Sequence, residues 1–317
     1  MKKIVLGVDI GGTNTAYGFV EETGSILYME QIPTFGHEPV EDLVGRLKSK
    51  VNSYFEHHTN LELIGIGVGA PNGNYYTGII QDPPNLNWGN INIVSLIKEK
   101  FSCDTMLTND ANAAALGEKL FGIAKDMNNF VVITLGTGLG SGIFCNGNLL
   151  YGHDGFAGEM GHLSIDPNGR LCNCGRKGCL ENYVSAKGIR KSINEFKENN
   201  PDDSFIQSLP KKGLDGRVID RAYDDGVSSA IQLYNNVGKQ LGIGLAQVAI
   251  ILSPEAFVFY GGYSNAGERI LGVARRTMDD YLLSSQKGKI DILQSGLPQN
   301  EAGIIGAASL LWTNRVP

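Results

Sequence analysis

The segment Gly158–Glu181, GEMGHLSIDPNGRLCNCGRKGCLE, constrains the fold of this chain more than any other stretch. It holds three of the five cysteines, Cys172, Cys174 and Cys179, and His162 precedes them. One imidazole and three thiolates complete the tetrahedral coordination of Zn²⁺ with no position left for water, which is typical of a structural site. The spacing therefore predicts a segment folded back on itself around a structural zinc ion.

Other arrangements of these cysteines are open at this point. Two of them could form a disulfide or a redox pair, or all three could stay free thiols. The start of the chain, MKKIVLGVDIGG, has too short an apolar run before Asp9 for the core of a signal peptide. We therefore expect a cytoplasmic protein, where clustered cysteines favour metal over a disulfide. The remaining cysteines, Cys103 and Cys145, lie in apolar contexts and are predicted to be core residues.

Length and charge exclude several classes of protein. With 317 residues the chain is long enough for two domains. A net charge of −6 disfavours a nucleic-acid partner, and no apolar run approaches the length of a membrane span. The 42 glycines are clustered at the ends of apolar strands, a pattern that indicates loops approaching a ligand closely.

Strand and helix patterns alternate along the chain, which predicts the α/β class. Apolar runs predict strands at 3–9, 16–20, 62–70, 104–109, 129–135 and 256–260. Helical spacing or composition predicts helices at 40–56, 93–101, from 110 onward, over much of 187–236, and at 237–251, 266–282 and 302–313.

A strand, a glycine and threonine turn and a second strand occur twice in succession. The turns are Gly11-Gly12-Thr13, which follows Asp9, and Gly136-Thr137-Gly138. Backbone N–H groups and threonine hydroxyls can hold phosphate oxygens, and Asp9 could hold Mg²⁺ through water. Such turns are also common in plain hairpins. Because there is no GxxxxGK[ST] motif and no GxGxxG opening a helix, a P-loop or dinucleotide fold is not indicated.

Two further features suggest a ligand site. Gly261-Gly262 follows the strand 256–260, and it is either a ligand edge or only a tight turn. Asn109-Asp110 opens an alanine-rich helix. Asp110 could be the N-cap of this helix, a general base for a hydroxyl, or both, because a cap also holds a carboxylate rigidly.

These motifs together resemble the ROK family (repressors, open reading frames and sugar kinases) of the actin/hexokinase-like ATPase superfamily. The matching segments are DIGGTN at 9–14, NDANAAALGE at 109–118, LGTGLGSGI at 135–143 and GEMGH…CNCGRKGCLE at 158–181. The resemblance implies two ribonuclease-H-like domains with an interdomain cleft and a structural zinc site. It places the smaller domain at 1–112 plus a returning helix at 302–317, and the larger domain at 113–301.

The resemblance also implies roles for individual residues. ATP with Mg²⁺ would lie in the cleft, and Asp110 would be the base that activates the 6-hydroxyl of a sugar. The expected nucleotide residues are Asp9, Gly11, Gly12, Thr13, Thr137, Gly138, Gly261 and Gly262. The expected sugar residues are Asn72, Asn85, Asn109, Asp110, Glu159, His162 and Glu181. The expected Zn²⁺ ligands are His162, Cys172, Cys174 and Cys179.

The activity implied is that of a transferase, an ATP-dependent hexose kinase with glucose as the first choice. Alternative substrates are N-acetylglucosamine, N-acetylmannosamine, mannose and allose. A sugar-responsive repressor is a different class. We expect an enzyme, because family repressors place a helix-turn-helix segment before this fold and Asp9 lies near the start of the sequence. By family analogy, the protein is expected to be a homodimer or homotetramer.

Overall fold

Two five-stranded sheets with the same strand order organise this α/β chain. The computed structural model describes residues 1–84, 86–211, 213–262, 266–298 and 301–313. The chain forms two compact units. Unit 1 consists of Met1–Asn128, Gly142–Gly158 and the described residues from Ser295 onward, and unit 2 consists of Asn129–Ser141 and Glu159–Gln294. The predicted α/β class is confirmed, and both units contain strands of a five-stranded sheet.

The first sheet has the order β3-β2-β1-β4-β7. Its strands are β1 Lys2–Ile10, β2 Asn14–Val20, β3 Ile26–Pro33, β4 Leu61–Gly69 and β7 Thr105–Thr108. The hairpin β1-β2-β3 is antiparallel, while β1, β4 and β7 run parallel. Two short strands, β5 Ile79–Ile80 and β6 Ile91–Asn92, pair with each other. Parallel strands end at one edge, which brings the end of β1 near the ends of β4 and β7.

Four helices belong to unit 1: α1 Val40–His57, α2 Ile93–Phe101, α3 Asp110–Leu120 and α10 Ala302–Thr313. The apolar stripe predicted for 40–56 is the face that α1 buries, through Val40, Leu43, Val44, Leu47 and Val51. Helix α10 is buried over nearly its whole length, and it packs on β1, β4 and α3. The end of the chain is thus tied to its first strand.

Two strand glycines make the close approach of α10 possible. A Cβ on Gly7 would overlap the carbonyl of Ile304, and one on Gly67 would overlap the carbonyl of Ala307. Both partners are backbone atoms of a buried helix, so they cannot move aside as a side chain could. The glycines of the VLGVD and IGIGVG runs are therefore packing residues.

We expect Gly67→Ala to lower the free energy of unfolding by about 3 kcal/mol or more, because the added methyl group displaces α10 from the sheet. Urea denaturation measures the change. Gly45→Ala is the matched control, since nothing lies within 4 Å of its added Cβ in the middle of α1. That variant should be neutral or stabilising by up to about 1 kcal/mol. Equal stability of the two variants would contradict the packing argument.

The second sheet has the order β10-β9-β8-β11-β12. Its strands are β8 Phe130–Leu135, β9 Leu139–Cys145, β10 Asn148–Leu149, β11 Ala256–Tyr260 and β12 Asp291–Gln294. A short 3₁₀ turn, Met160–His162, precedes the helices α4 Glu181–Val184, α5 Ala186–Asn199, α6 Ser204–Ser208, α7 Gly216–Asp224, α8 Ser228–Leu252 and α9 Glu268–Tyr281. In sequence numbering both sheets run third, second, first, fourth, fifth, which matches the repeated strand–turn–strand motif.

The structure differs from the sequence expectations at several points. Helix α8 is one continuous element of 25 residues from Ser228, whereas the sequence suggested a division near residue 236. Cys145 was predicted to be a core residue and is exposed, because it ends β9 beside the turn Asn146-Gly147. The sequence does not predict β3, the strand that pairs with β2, because the side chains along it are mostly partly or fully exposed.

None of the described helices has the length and apolarity to cross a membrane.

Candidate functional site

Asn109, and not Asp110, is the N-cap of α3. The Asn109 side chain accepts the N–H of Asn112 at 2.7 Å, and its backbone is extended. Asp110 is the first residue of the helix, and its Oδ1 accepts the N–H of Ala111 at 2.9 Å. The alternative interpretation of Asp110 as a cap is therefore wrong. Because the neighbouring asparagine supplies the cap, the Asp110 carboxylate is released from that structural role.

Asp110 is an exposed carboxylate whose pKa is raised. The surrounding protein removes part of the water that would stabilise its charge, and backbone N–H groups, including that of Ala111, oppose this effect. No described cation forms an ion pair with it. A carboxylate with a raised pKa that remains reachable from solvent has the properties required of a proton acceptor.

Asp9 lies at the end of β1, within the electrostatic reach of Asp110. Burial first, and the charge of Asp110 second, raise the pKa of Asp9 to about 6. Gly303 of α10 approaches the carboxylate so closely that a Cβ there would overlap Asp9 Oδ2. A buried carboxylate whose proton affinity is raised further by a neighbouring carboxylate is a setting that a divalent cation would relieve. The donor set of unit 1 therefore fits a hard cation such as Mg²⁺.

The first glycine turn is hydrogen-bonded to Asn14 and Thr34, and part of it is exposed to solvent. Gly11 donates its N–H to the Asn14 carbonyl at 3.0 Å, and Thr34 Oγ1 donates to the Gly11 carbonyl at 2.8 Å. The N–H of Thr34 also bonds the Thr13 carbonyl. Gly12 and Thr13 remain exposed. The turn is thus fixed by the Gly11 N–H and by the carbonyls of Gly11 and Thr13, while Thr13 stays exposed.

The second glycine turn lies in unit 2 and has the same character. The N–H of Gly136 bonds the Gly138 carbonyl at 3.1 Å, and the N–H of Ala186 bonds the Gly136 carbonyl at 3.0 Å. Thr137 is exposed. A Cβ on Gly138 would lie 3.1 Å from Glu181 Oε2, so this turn and the predicted sugar ligand Glu181 are neighbours.

Gly261 and Gly262 end β11 in the same unit. Gly261 has a φ of +111°, a backbone conformation that residues with a side chain rarely adopt. A Cβ at this position would overlap the Leu135 carbonyl at the end of β8. At Gly262 a Cβ would meet nothing within 4 Å. Gly261 is therefore required for close packing against β8, whereas the backbone at Gly262 has free space beside it. Residues 263–265 lie outside the described residues.

The four predicted zinc ligands converge in unit 2. One ligand atom from each of His162, Cys172, Cys174 and Cys179 lies within 4.8 Å of all the others. The Cys174 and Cys179 sulfurs are 3.6 Å apart, and Cys172 Sγ is 3.8 Å from His162 Nδ1. Tetrahedral Zn²⁺ with Zn–S bonds of about 2.3 Å places two sulfurs roughly 3.8 Å apart. The donor set and its spacing therefore fit zinc.

Burial makes two of these thiols, Cys172 and Cys179, costly to ionise without a cation. It raises the pKa of Cys172, and it raises the pKa of Cys179 to about 12. Burial also acts on Cys174, but the backbone N–H of Arg176 and the adjacent thiols outweigh it, so the pKa of Cys174 is lowered. A bound dication would favour all three thiolates, since coordination and deprotonation are linked.

The metal-ligand cluster also orients the side chains predicted to bind sugar. His162 turns Nδ1 toward the sulfurs, while its Nε2 lies 4.0 Å from Glu159 Oε2. Cys172 Sγ lies 3.3 Å from Glu181 Oε1, and Arg176 donates to the His162 carbonyl at 2.7 Å. The His162 imidazole thus has Nδ1 available for a metal ion and Nε2 directed toward the Glu159 carboxylate.

Of the two loop asparagines predicted to bind sugar, Asn72 and Asn85, the structure describes only Asn72. Asn72 has a left-handed φ of 53°, and its Nδ2 donates to the Gln81 carbonyl at 2.9 Å and the Asp82 carbonyl at 3.2 Å. Its amide N–H₂ therefore holds its own loop, which leaves the side-chain oxygen for a ligand. Asn85 lies outside the described residues.

Two supporting residues were missed by sequence reasoning. Asn74 is 1% exposed; its Oδ1 accepts two loop N–H groups, and its Nδ2 donates to the Asp154 carbonyl at 2.6 Å. Arg170 donates to the carbonyls of Asn182 and Gly188 and stacks over Tyr183, which fixes the backbone beside Glu181. For Arg170, its position inside the cysteine-rich segment could have indicated a supporting role. For Asn74, the sequence indicates only a loop residue.

The repeated sheet order and the two glycine turns define the class: an α/β protein with two sheet-containing units, consistent with the actin/hexokinase-like fold. The ROK family model matches residues 5–314, and the chain belongs to the ROK family.

Relatives within the family differ in function. The chain is 34% identical to the glucokinase of Thermotoga maritima, over 97% of this chain and 96% of the relative. It is 35% identical to the xylose repressor of Bacillus subtilis, over 78% of this chain and 61% of the repressor. A ROK glucokinase from Streptomyces griseus, solved with glucose and AMPPNP, superposes with a TM-score of 0.80 at 30% identity, covering 97% of this chain and 98% of that chain.

Proposed function

We propose that this protein is an ATP-dependent sugar kinase that phosphorylates the 6-hydroxyl of a hexose, with glucose as its first substrate. The observation that carries the proposal is the match to a glucokinase along nearly the full length of both chains. The exposed Asp110 with its raised pKa supports it from within the structure. N-acetylglucosamine, N-acetylmannosamine, mannose and allose are the alternative acceptors.

In this proposal Asp110 accepts the proton of the attacking hydroxyl. The hydroxyl oxygen forms a bond to the terminal phosphorus of ATP, the bond from that phosphorus to the bridging oxygen breaks, and ADP leaves. Phosphoryl transfer requires alignment and charge neutralisation more than covalent help from the protein. Asn109 caps α3 and so holds Asp110 at a fixed point of the helix start.

The nucleotide would be held by the two glycine turns. Thr13 and Thr137 present exposed hydroxyls, and Gly12 and Gly138 allow the backbone to approach phosphate. Gly261 and Gly262 would lie beside the adenosine. When bound, Mg²⁺ neutralises phosphate charge, and Asp9 would hold it through water.

Sugar recognition would use the side chains oriented by the zinc cluster. The carboxylates of Glu159 and Glu181 accept hydrogen bonds from sugar hydroxyls, and charge makes such bonds stronger than neutral ones. His162 Nε2 would bond another hydroxyl while Nδ1 binds zinc, since its Nδ1 already faces Cys172. Asn72, Asn85 and Asn109 would complete the pocket. Structural Zn²⁺, when bound, supplies the fixed geometry of this segment.

Thr137→Ala should raise the Michaelis constant for ATP about tenfold and change that for the sugar much less, because a phosphate hydrogen bond is lost. Steady-state kinetics with each substrate varied at saturation of the other measures both. Thr137→Ser keeps the hydroxyl and is the matched control, with constants near wild type. A larger effect on the sugar constant than on the ATP constant would place the nucleotide elsewhere.

A panel of sugars tests the function itself. The purified protein with Mg-ATP is assayed for ADP formation with glucose, mannose, allose and the two N-acetyl hexosamines. We expect slow ATP hydrolysis alone, strong stimulation by glucose, and sugar 6-phosphate as product. Turnover with an acetamido sugar and none with glucose would make the acetamido sugar the proposed substrate in place of glucose. No turnover with any sugar would refute the kinase proposal.

A sugar-responsive regulator is the second candidate, favoured by the 35% identity to a xylose repressor. The repressor match leaves more than a third of the repressor unmatched, whereas the glucokinase match extends along nearly the whole glucokinase. A regulator would bind sugar without turnover and bind DNA in a salt-sensitive manner. The same sugar panel, combined with a DNA titration at two salt concentrations, separates the two candidates.

Location and assembly are part of the proposal. We place the kinase in the cytoplasm, where ATP is available and reduced thiols can hold a metal. We infer a homodimer or homotetramer by analogy with the family. Light scattering on the purified protein measures the assembly, and a monomer at all concentrations would contradict it.

A further inference from the structure

A cavity of about 240 Å³ in unit 2 shares only Glu181 with the residues that the proposed reaction uses. It lies between the zinc-cluster loop, at Asn173, and the first turns of helix α5. Its lining includes Glu181 and Asn182 from the start of α4, and Lys187, Arg190 and Lys191 from α5. We call this space the α5 cavity.

The α5 cavity is basic although the chain as a whole is acidic. Three cations, Lys187, Arg190 and Lys191, line it against one carboxylate, Glu181. The whole chain has a net charge of −6. None of these three cations forms an ion pair with another described residue. Unneutralised cations gathered around one concavity attract an anion and not a neutral ligand.

A buried amide points to the same ligand chemistry. Asn182 is 6% exposed and lines the cavity. Its Oδ1 accepts a bond from Lys191 Nζ at 2.7 Å, which fixes the orientation of the amide. Its Nδ2 is buried and has no hydrogen-bond acceptor among the described residues. Buried polar groups in proteins are nearly always paired, so an acceptor atom from a ligand is the expected partner.

We infer that the α5 cavity is a binding site for a phosphoryl anion, either free phosphate or a phosphate ester. Its oxygens would accept bonds from Asn182 Nδ2 and from the side chains of Lys187 and Arg190. The cavity also lies at the amino-terminal end of α5, whose N-cap Ser185 accepts the N–H of Gly188 at 3.2 Å. The partial positive charge of that helix end adds to the same attraction.

Occupation of the α5 cavity would act on the sugar site, and this part of the inference rests on the proposed function. Glu181 lines the cavity, with Oε1 of its carboxylate 3.3 Å from the Cys172 sulfur and Oε2 beside the turn at Gly138. An anion bound beside it repels this carboxylate and weakens its hold on a sugar hydroxyl. Bound phosphate should therefore raise the Michaelis constant for the sugar and leave the turnover number almost unchanged.

The binding test uses isothermal calorimetry with inorganic phosphate at constant ionic strength and saturating AMPPNP. The variant Lys187→Ala/Arg190→Ala removes two exposed cations of the cavity. The matched control, Lys239→Ala/Arg276→Ala, removes two exposed cations of unit 2 that do not line it. Loss of two charge-assisted contacts should weaken phosphate binding about tenfold or more in the first variant alone.

A parallel titration with a hexose 6-phosphate distinguishes the two sources of the phosphoryl group. Binding of either anion that is weakened in the cavity variant, but not in the control, supports the site. Equal binding by both variants, no binding of either anion, or displacement of phosphate by AMPPNP overturns it. A cavity variant that raises the Michaelis constant for ATP would likewise assign these cations to the nucleotide site. Because calorimetry requires no turnover, failure of the kinase proposal leaves this test intact.

Discussion

Asp110→Asn should lower the turnover number by about 100- to 10,000-fold, the range usual for loss of a general base. The asparagine has almost the same shape and can keep the bond to the Ala111 N–H, so α3 should retain its start. Its amide cannot accept the hydroxyl proton. The dissociation constant for the sugar should change by less than about threefold, since the lost interaction belongs to the transition state.

The matched control is Asp126→Asn, which changes an exposed carboxylate of unit 1 that lies outside the predicted site. Steady-state assays and sugar titrations on both variants give the required quantities. Because the pKa of Asp110 is raised, activity should fall as the pH is lowered and the carboxylate becomes protonated. A variant with near-normal turnover would remove Asp110 from the role of base.

Cys174→Ser should abolish stoichiometric zinc and raise the Michaelis constant for the sugar by about tenfold or more, the scale of effects seen when the support of a metal ligand is lost. Cys174 is the exposed ligand of the cluster, so the substitution creates little void in the core. The loss instead frees His162, whose Nδ1 faces the metal position and whose Nε2 faces Glu159.

Metal content by mass spectrometry and the thermal midpoint test this second prediction. Metal binding contributes directly to folding, so the midpoint should fall together with the zinc content. Cys145→Ser is the matched control, because Cys145 is exposed and outside the cluster. Full zinc content in the Cys174 variant, or equal losses in the control, would show that the ligands were assigned incorrectly.

Local chemistry made much of this fold predictable. The apolar spacing of α1, the short apolar run of β8 and the position of α2 each depend on residues that are close in sequence. The predicted bounds of these elements agree with the structure to within one residue at each end. Strand β3 and the continuous α8 were missed, because their stability depends on pairing and packing with distant segments.

The candidate site divides in the same way. The spacing of His162 and the three cysteines is sufficient to predict convergence, and the structure brings their ligand atoms together. The roles of Asn109 and Asp110 at the helix start could not be separated from composition, because either side chain can cap a helix. Only backbone geometry assigns the cap to Asn109.

The sequence by itself determined the α/β class, the cysteine and histidine cluster and the glycine turns, since each depends on side-chain chemistry within a short stretch. Tertiary structure alone decided that Gly7 and Gly67 admit α10, that Asp110 raises the pKa of Asp9, and that the unpaired Nδ2 of Asn182 borders a basic cavity. These properties depend on which distant groups share a space from which water is excluded. Burial and long-range packing create that space, and no local pattern encodes it.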